Sequence, residues 1–177
     1  MVRVLPPPVC LRQSLPVCSQ CPVSWTFNAN KCYAYIDLNL PWIEAIDTCK
    51  TLGGHLVEIS SATENHFVSR LMHSKELVWT WLGFNDLVQE DRWVSATSNQ
   101  PMVYRSWGRG EPNDNGNEDC VQISNSGVWN DISCDPGTKR TFICQRKDTC
   151  KTLGGHLVEI NSATENHFVS RLMHSKG

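Results

Sequence analysis

Carboxylate and amide side chains are concentrated in one stretch of the sequence, GEPNDNGNEDC, which spans residues 110–120. Such oxygens suit a hard cation such as Ca²⁺, which takes about six to eight oxygen ligands at roughly 2.3–2.6 Å in irregular geometry. A second segment, WND at residues 129–131, offers another amide and another acid. Cys120 and Cys134 lie on either side of it and could clamp the two segments together. The pattern predicts a calcium site.

The proline in this stretch supports a binding loop. An X-Pro peptide bond adopts cis at a cost of only about 0.5–1 kcal/mol, and a cis Glu111–Pro112 bond would turn the side chains of Glu111 and Asn113 to the same side. An ordinary solvated turn is the alternative, because turns favour Asn, Asp, Gly and Pro. The WND segment and the flanking cysteines favour the binding loop, since three independent features agree.

Length and charge limit the classes of partner. The chain has 177 residues, of which 40% are apolar, which is enough for one domain with a hydrophobic core. The net charge is −2 and there is no basic run, which argues against nucleic acid and anionic membranes as partners. No apolar stretch approaches the roughly 18 residues that a membrane span needs.

Cysteine content predicts the cellular compartment. Nine cysteines in a chain of this size indicate disulfides and an oxidising environment, so we expect a secreted, extracellular protein. A structural zinc site would need paired CxxC-type ligands, and CSQC at residues 18–21 is the one such pair. The first twenty residues have prolines where a signal peptide needs an apolar run, so no signal peptide is visible.

Apolar spacing predicts the elements that position these loops. The first helix should have Pro41 in its first turn and end at Gly53–Gly54, and the second should be capped by Ser or Thr. Their apolar faces are formed by Trp42, Ala45, Ile46, Cys49 and Leu52 in the first helix and by Phe67, Val68, Leu71 and Met72 in the second. The strand pattern predicts a hairpin within 21–36 and strands at 55–59, 78–84, 120–123, 127–131 and 140–146. Residues 85–116 should be mostly loop, anchored by Trp93 and Trp107.

Five short motifs occur in one order along the chain: WLGF at 81–84, EPN at 111–113, EDC at 118–120, WND at 129–131 and FIC at 142–144. Together they closely resemble the C-type lectin-like domain, over about Cys21 to Lys147. The resemblance implies a disulfide-stabilised α+β double-loop fold, with two helices flanking small antiparallel sheets. It also implies that the disulfides pair Cys21 with Cys32, Cys49 with Cys144, and Cys120 with Cys134.

The same resemblance implies the roles of the acidic loop. A principal calcium ion would be held by Glu111, Asn113, Glu118, Asn130 and Asp131. An auxiliary calcium ion would be held by Asp86, Glu90, Asp114 and Asp119, with help from Glu118. Sugar hydroxyls would bind beside the principal ion, donating to Glu111 and Glu118 and accepting from Asn113 and Asn130.

The resemblance also implies a class of sugar. In the family, EPN accompanies mannose-type sugars (mannose, fucose and N-acetylglucosamine), whereas QPD accompanies galactose. We therefore expect a calcium-dependent lectin with a mannose-type preference, whose partners are the glycans of glycoproteins or microbial surfaces.

Two other functions compete with this interpretation. Paired carboxylates can hydrolyse glycosides, but calcium ligands have depressed pKa values and make poor general acids. The sequence also contains no HExxH motif and no nucleophile elbow, so we predict that the protein is not an enzyme. A structural or biomineral matrix protein is the stronger alternative. The chain resembles the small one-domain shell lectins called perlucins, and the same acidic face could meet carbonate crystals.

The two ends of the chain differ from the domain between them. Residues 1–20 form a proline-rich stretch, expected to be an irregular arm. Asp148 to Lys176 repeats Asp47 to Lys75, with Asn161 in place of Ser60 as the single difference. The copy begins in the middle of the first predicted helix and cannot rebuild the unit it duplicates. We expect residues 148–177 not to form an independent domain.

Three cysteines, Cys10, Cys18 and Cys150, are left over from the implied pairs. An odd number favours a disulfide-linked homo-oligomer or a free thiol, and the apolar face of the duplicated tail offers a second route to association. Cys150 could compete with Cys49 for Cys144. The loop between Cys144 and Cys150 is short, so this bond would gain little entropy from the unfolded chain, and we expect Cys49 to form the pair.

Overall fold

The computed structural model describes residues 21–147. The predicted arm, the duplicated tail and the leftover cysteines Cys10, Cys18 and Cys150 lie outside the described residues. Within that range the elements are β1 (Thr26–Asn28), β2 (Lys31–Leu40), α1 (Trp42–Thr51), β3 (His55–Leu56), α2 (Ala62–Ser74), β4 (Trp79–Asn85), β5 (Val94–Ser95), β6 (Cys120–Ser124), β7 (Trp129–Ile132) and β8 (Arg140–Lys147).

The strands of the described region belong to one eight-stranded sheet. Its main path is β1-β2-β8-β4-β6-β7, with β3 added on β8 and β5 added on β4. Two antiparallel groups, β1-β2-β8-β3 and β5-β4-β6-β7, are joined where β4 and β8 pair in parallel through Thr80–Thr141 and Trp81–Phe142. The expected small antiparallel sheets are therefore present, and one short parallel pairing connects them.

Helix α1 forms as the spacing predicts. It begins directly after Pro41 and buries Trp42, Ala45, Ile46 and Cys49, and the indole Nε1 of Trp42 donates to the Leu82 carbonyl at 2.9 Å. Gly53 follows in the left-handed region, with φ of +74°, where glycine carries no Cβ penalty. Leu52, expected on the buried face, caps the helix and is 42% exposed, because the helix ends before its last apolar position turns inward.

Helix α2 packs on the other side of the sheet. The Ser61 side chain caps it by accepting from the Glu64 N–H at 3.2 Å. Val68 and Met72 are fully buried, while Phe67 and Leu71 pack at the edge of the same cluster. The preceding strand is shorter than predicted, because only His55–Leu56 of residues 55–59 pair with β8.

Strand β4 lies between the two helices and is buried on both faces from Thr80 to Asn85. Trp81 joins the cluster of α1, whereas Leu82 and Phe84 join the cluster of α2. Val78, predicted as part of this strand, precedes it and is 61% exposed. The rigid end of β4 fixes the position of the residue that follows it, Asp86.

All three implied disulfides are present: Cys21–Cys32, Cys49–Cys144 and Cys120–Cys134. The pairing of Cys144 with Cys49 confirms the expectation that Cys150 does not take its place. Cys49–Cys144 ties α1 to β8, and Cys120–Cys134 closes the β6–β7 hairpin. That hairpin carries the WND segment, so the crosslink stabilises the hairpin on which part of the candidate site lies.

Candidate functional site

Asp131 joins the two acidic segments. It lies on β7, fully buried, and its Oδ2 accepts from the backbone N–H groups of Asn113 at 2.8 Å and Asp114 at 2.7 Å. The EPN loop therefore folds directly onto the WND strand, although 17 or 18 residues separate the bonded groups.

The EPN loop is organised by its own polar groups. The Glu111–Pro112 peptide bond is cis, and the Asn113 amide Nδ2 donates to Glu111 Oε2. The Asp114 carboxylate accepts from the Glu118 N–H at 2.8 Å. On the facing strand, the side-chain amide of Asn130 donates to the backbone carbonyl of Asp131. These contacts bring all five predicted principal residues into one neighbourhood.

Electrostatics in this neighbourhood are unfavourable for negative charge. Burial and then the adjacent Asp131 carboxylate raise the pKa of Glu111, and the same two causes raise the pKa of Glu118, with a further contribution from Asp114. Asp131 Oδ1 is buried without a hydrogen-bond partner among the described residues. A cation would relieve both the repulsion and the unpaired oxygen.

The predicted auxiliary residues form a second acidic group at the end of β4. Asp86 is 2% exposed, and its Oδ2 accepts from the Asp91 N–H at 3.0 Å, while its buried Oδ1 has no partner in the described region. Burial, with added repulsion from Glu90 and Asp119, raises the pKa of Asp86 to about 7, and the bond from Asp91 opposes that rise.

Glu90 and Asp114 complete this second group. Desolvation, followed by the charges of Asp114 and Asp91 and a smaller effect of Asp119, raises the pKa of Glu90. The backbone N–H of Asp86 also donates to the Asp119 carbonyl at 3.2 Å. The four predicted residues are therefore close enough to interact electrostatically, and Asp114 lies between the two acidic groups.

The two groups can be tested for their fit to a metal ion. Within residues 21–147, no group of three or more His, Cys, Asp or Glu side chains is arranged so that it could hold a metal ion. The predicted principal set also uses the amide groups of Asn113 and Asn130. The buried unpaired oxygens of Asp86 and Asp131 and an all-oxygen donor set fit a hard cation such as Ca²⁺ better than zinc.

One supporting residue was missed by the sequence analysis. Asn65 on α2 is 8% exposed, and its Oδ1 accepts from the indole Nε1 of Trp129 at 2.8 Å. A pattern in the sequence could have revealed it, since Asn65 precedes Val68 and Met72 by three and seven residues and thus lies on the buried helical face. A polar side chain on this buried helical face needs a hydrogen-bond partner inside the protein.

Gly108 is a second missed residue. A Cβ at this position would lie 3.1 Å from Val128 Cγ1 and 3.3 Å from both Glu111 Cγ and the Trp129 carbonyl oxygen. The absence of a side chain lets the loop that leads to Glu111 approach β7 closely. Gly108 uses this proximity to donate its N–H to the Trp129 carbonyl at 2.8 Å.

Comparison with known families agrees with this fold. Residues 38–146 match the model of the Lectin C-type domain, and the chain belongs to this family. The family is one of lectins, which agrees with the prediction of a carbohydrate-binding protein. The three disulfides are those of an extracellular-type lectin domain.

Individual relatives are similar over the same region. C-type lectin domain family 4 member M from gorilla is 37% identical over 136 residues, which cover 76% of this chain and 35% of the relative. Human CD209 antigen is 38% identical over 132 residues, which cover 73% of this chain and 32% of the relative. This chain thus spans about a third of the length of the curated relatives it matches.

A solved structure gives the same result for the fold. The carbohydrate-recognition domain of cow CD23, crystallised in the presence of a GlcNAc2Man3 oligosaccharide, is 36% identical to this chain with a TM-score of 0.68. The match covers 75% of this chain and 100% of that domain. Among residues 21–147 of this chain, no helix has the length and apolar character to cross a membrane.

Proposed function

We propose that this protein binds carbohydrate in a calcium-dependent manner, with a preference for mannose-type sugars. The observation that carries the proposal is the meeting of the EPN and WND segments at Asp131. One oxygen of this carboxylate holds the backbone of Asn113 and Asp114, and the other is buried without a hydrogen-bond partner among residues 21–147.

The calcium ligands follow from the two acidic groups. The principal ion is assigned to Glu111, Asn113, Glu118, Asn130 and Asp131, and the auxiliary ion to Asp86, Glu90, Asp114 and Asp119. When bound, calcium supplies coordination positions for two neighbouring hydroxyl groups of a sugar. The repulsion that raises the pKa values of Glu111 and Glu118 supports a cation between these side chains.

Four of the principal residues are also assigned to the sugar. The carboxylates of Glu111 and Glu118 accept hydrogen bonds from its hydroxyl groups, and the amides of Asn113 and Asn130 donate to them. The order acid–proline–amide supports mannose, fucose or N-acetylglucosamine as the sugar. The cow CD23 domain, solved in the presence of an oligosaccharide of N-acetylglucosamine and mannose, supports the same class.

The wider role follows from this activity. We assign the protein to the extracellular space as a secreted lectin, with glycans of glycoproteins or microbial surfaces as partners. Its three disulfides within residues 21–147 support an oxidising compartment. The leftover cysteines and the duplicated tail remain our proposed routes to a homo-oligomer.

Chromatography on mannan resin tests the proposed function. Retention should require calcium and should be reversed by a chelator or by free mannose. Glu111→Gln combined with Asn113→Asp should move the preference toward galactose. Glu44→Gln, at an exposed acid on α1, is the matched control and should bind as the wild type does. Retention that survives excess chelator would contradict the proposal.

A biomineral matrix role remains the second candidate, because Glu90, Asp91 and Asp114 are exposed acids of one electrostatic group. Such a face could meet calcium ions in a carbonate surface. Adsorption to calcium carbonate that free mannose does not compete away, together with absent mannan retention, would favour this role over the lectin.

A further inference from the structure

Asn65 hydrogen-bonds with both ends of its side-chain amide. Its Oδ1 accepts from Trp129 Nε1 at 2.8 Å, and its Nδ2 donates to the Gly127 carbonyl at 2.8 Å. Trp129 is the first residue of β7, directly before Asn130 and Asp131, and Gly127 lies two residues ahead of the strand. A buried residue of α2 thus holds the turn and the first residue of the strand that carries half of the candidate site.

The same contacts extend to the other half of the site. Ser106 Oγ donates to the Gly127 carbonyl at 3.0 Å, and the Ser106 carbonyl accepts from the Trp129 N–H at 2.8 Å. The Trp129 carbonyl accepts from Gly108 at 2.8 Å, and the Gly108 carbonyl accepts from the Glu111 N–H at 3.1 Å. A continuous series of hydrogen bonds therefore leads from the helix to the EPN loop.

Packing makes the indole of Trp129 the centre of this series. The ring is fully buried and contacts Phe84, Tyr104 and Trp107, with ring centroids 5.6–6.0 Å apart. The indole nitrogens of Trp93 and Trp107 are buried without a partner among residues 21–147. Trp129 differs from both because Asn65 accepts from its N–H, which fixes the orientation of its ring.

We propose that Asn65 is a positioning residue for the calcium and sugar site, acting through Trp129 and Gly127 without touching either ligand. The inference rests on the proposed function. Because Asn130 and Asp131 follow Trp129 along β7, a change in the indole orientation displaces both. Because Gly108 is bonded to the Trp129 carbonyl, Glu111 moves with them.

Substitution of Asn65→Leu tests the proposal. Leucine has a similar volume and removes both hydrogen bonds, so the calcium Kd should rise about 10–100-fold, as for other residues that orient metal ligands. Titration calorimetry with CaCl₂ measures this, at a temperature where circular dichroism shows that the full chain is folded. The NMR resonance of the Trp129 indole N–H should shift in the same variant, and retention on mannan at fixed calcium should fall.

Val68→Ala is the matched control. Val68 is fully buried on the same helix, and its truncation destabilises the protein through a cavity but removes neither the hydrogen bond nor a ring contact of the Trp129 indole. Its calcium Kd should stay within about twofold of the wild-type value, since no ligand-orienting contact is lost. Ser69→Ala, which alters a buried polar residue near Gly127, should behave in the same way.

The results of these experiments distinguish a positioning role for Asn65 from general destabilisation and from failure of the proposed function. A folded Asn65→Leu protein with the wild-type calcium Kd would overturn the positioning role and leave the proposed function intact. An equal loss of affinity in Val68→Ala, at equal stability, would show that general destabilisation is responsible and would also overturn it. A wild-type chain that binds no calcium would refute the proposed function and the positioning role together.

Discussion

The buried carboxylate of Glu64 and the carboxylates of the acidic loops are held in opposite ways. In the Glu64 cluster, Oε1 of Glu64 receives Lys31 Nζ at 2.7 Å, Tyr33 OH at 2.6 Å and Gln145 Nε2 at 2.6 Å. Its Oε2 receives the N–H and the hydroxyl of Ser60 at 2.9 and 2.8 Å. Both oxygens are therefore satisfied by donors of the protein itself.

The acidic loop cluster, which comprises Glu111, Glu118, Asp131 and the neighbouring Asp86, has an incomplete set of donors among the described residues. Asp86 and Asp131 each have one buried oxygen without a partner in the described structure. The charged groups that shift the pKa values of Glu111 and Glu118 are other carboxylates. Within this cluster, negative charges face each other instead of a cation.

The pKa shifts of the carboxylates reflect this difference between the Glu64 cluster and the acidic loop cluster. Burial tends to raise the pKa of Glu64, but the donors Lys31, Tyr33 and Ser60 together outweigh it, so the pKa is lowered. In the other cluster burial and repulsion act together and raise the pKa of Asp86 to about 7. A buried carboxylate with a full set of donors stabilises the fold, whereas carboxylates gathered with an incomplete set of donors indicate a binding site.

Removal of the Glu64 side chain should have the largest effect on stability. Glu64→Ala leaves Lys31, Tyr33 and Gln145 without their shared acceptor, so the free energy of unfolding should fall by about 3 kcal/mol or more. Urea denaturation measures it, with Glu44→Ala as the control on an exposed site. A loss below about 1 kcal/mol, the net value of a single hydrogen bond, would contradict the structural role.

Neutralising Asp131 should have the opposite pattern of effects, with little change in the stability of the calcium-free protein and a large loss of calcium affinity. Asp131→Asn keeps an oxygen for the backbone of Asn113 and Asp114 and removes one negative charge, so stability without calcium should change by less than about 1 kcal/mol. The calcium affinity should fall about 100-fold, because it depends on the charge of the ligand set. Calorimetry and urea denaturation of the same preparation measure both quantities. A large loss of calcium-free stability would place Asp131 in the same class as Glu64.

The pH dependence of stability should reverse when calcium is added. Between about pH 4 and 7 the folded, calcium-free protein binds more protons than the unfolded chain, because the pKa of Asp86 is raised from about 3.9 in unfolded chains to about 7. Its free energy of unfolding should therefore increase as the pH falls from 7.5 to about 5.

Saturating calcium should give the reverse slope, because protons then displace the bound cation. Glu64 does not alter this window, since its lowered pKa keeps it ionised until the solution is more acidic. Thermal midpoints at several pH values, with calcium and with a chelator, measure the effect. Parallel slopes in the two conditions would show that the acidic loop cluster does not bind the cation.

The sequence predicted the helices, strands and loops that are defined by residue patterns within one segment. Apolar spacing predicted α1, α2 and β4, because a helix or strand face repeats over a few residues. It overestimated the strand at 55–59 and the burial of Leu52, since the end of an element depends on packing. The five motifs led to the acidic loops and, through the family resemblance, to the disulfides.

The sequence did not predict the Glu64 cluster or the role of Asn65. Lys31 and Gln145 lie 33 and 81 residues from Glu64, and Trp129 lies 64 residues from Asn65. Such contacts are set by the topology of the sheet, which brings β2, α2, β7 and β8 together. Periodicity within one segment contains no information about them.

Removal of the duplicated tail should have the smallest effect. The tail repeats the segment that contains Glu64 and Asn65, with Glu165 and Asn166 at the equivalent positions. The partners Lys31, Tyr33 and Gln145 lie outside the repeat, occur once, and already bind Glu64. A protein that ends at Lys147 should therefore keep the thermal midpoint of the full chain within about 2 °C, which corresponds to roughly 0.5 kcal/mol for a domain of this size. Its calcium affinity should also be unchanged. Calorimetry and sedimentation of both proteins test this, and a markedly lower midpoint, or a dimer that becomes a monomer, would show that the tail packs against a domain after all.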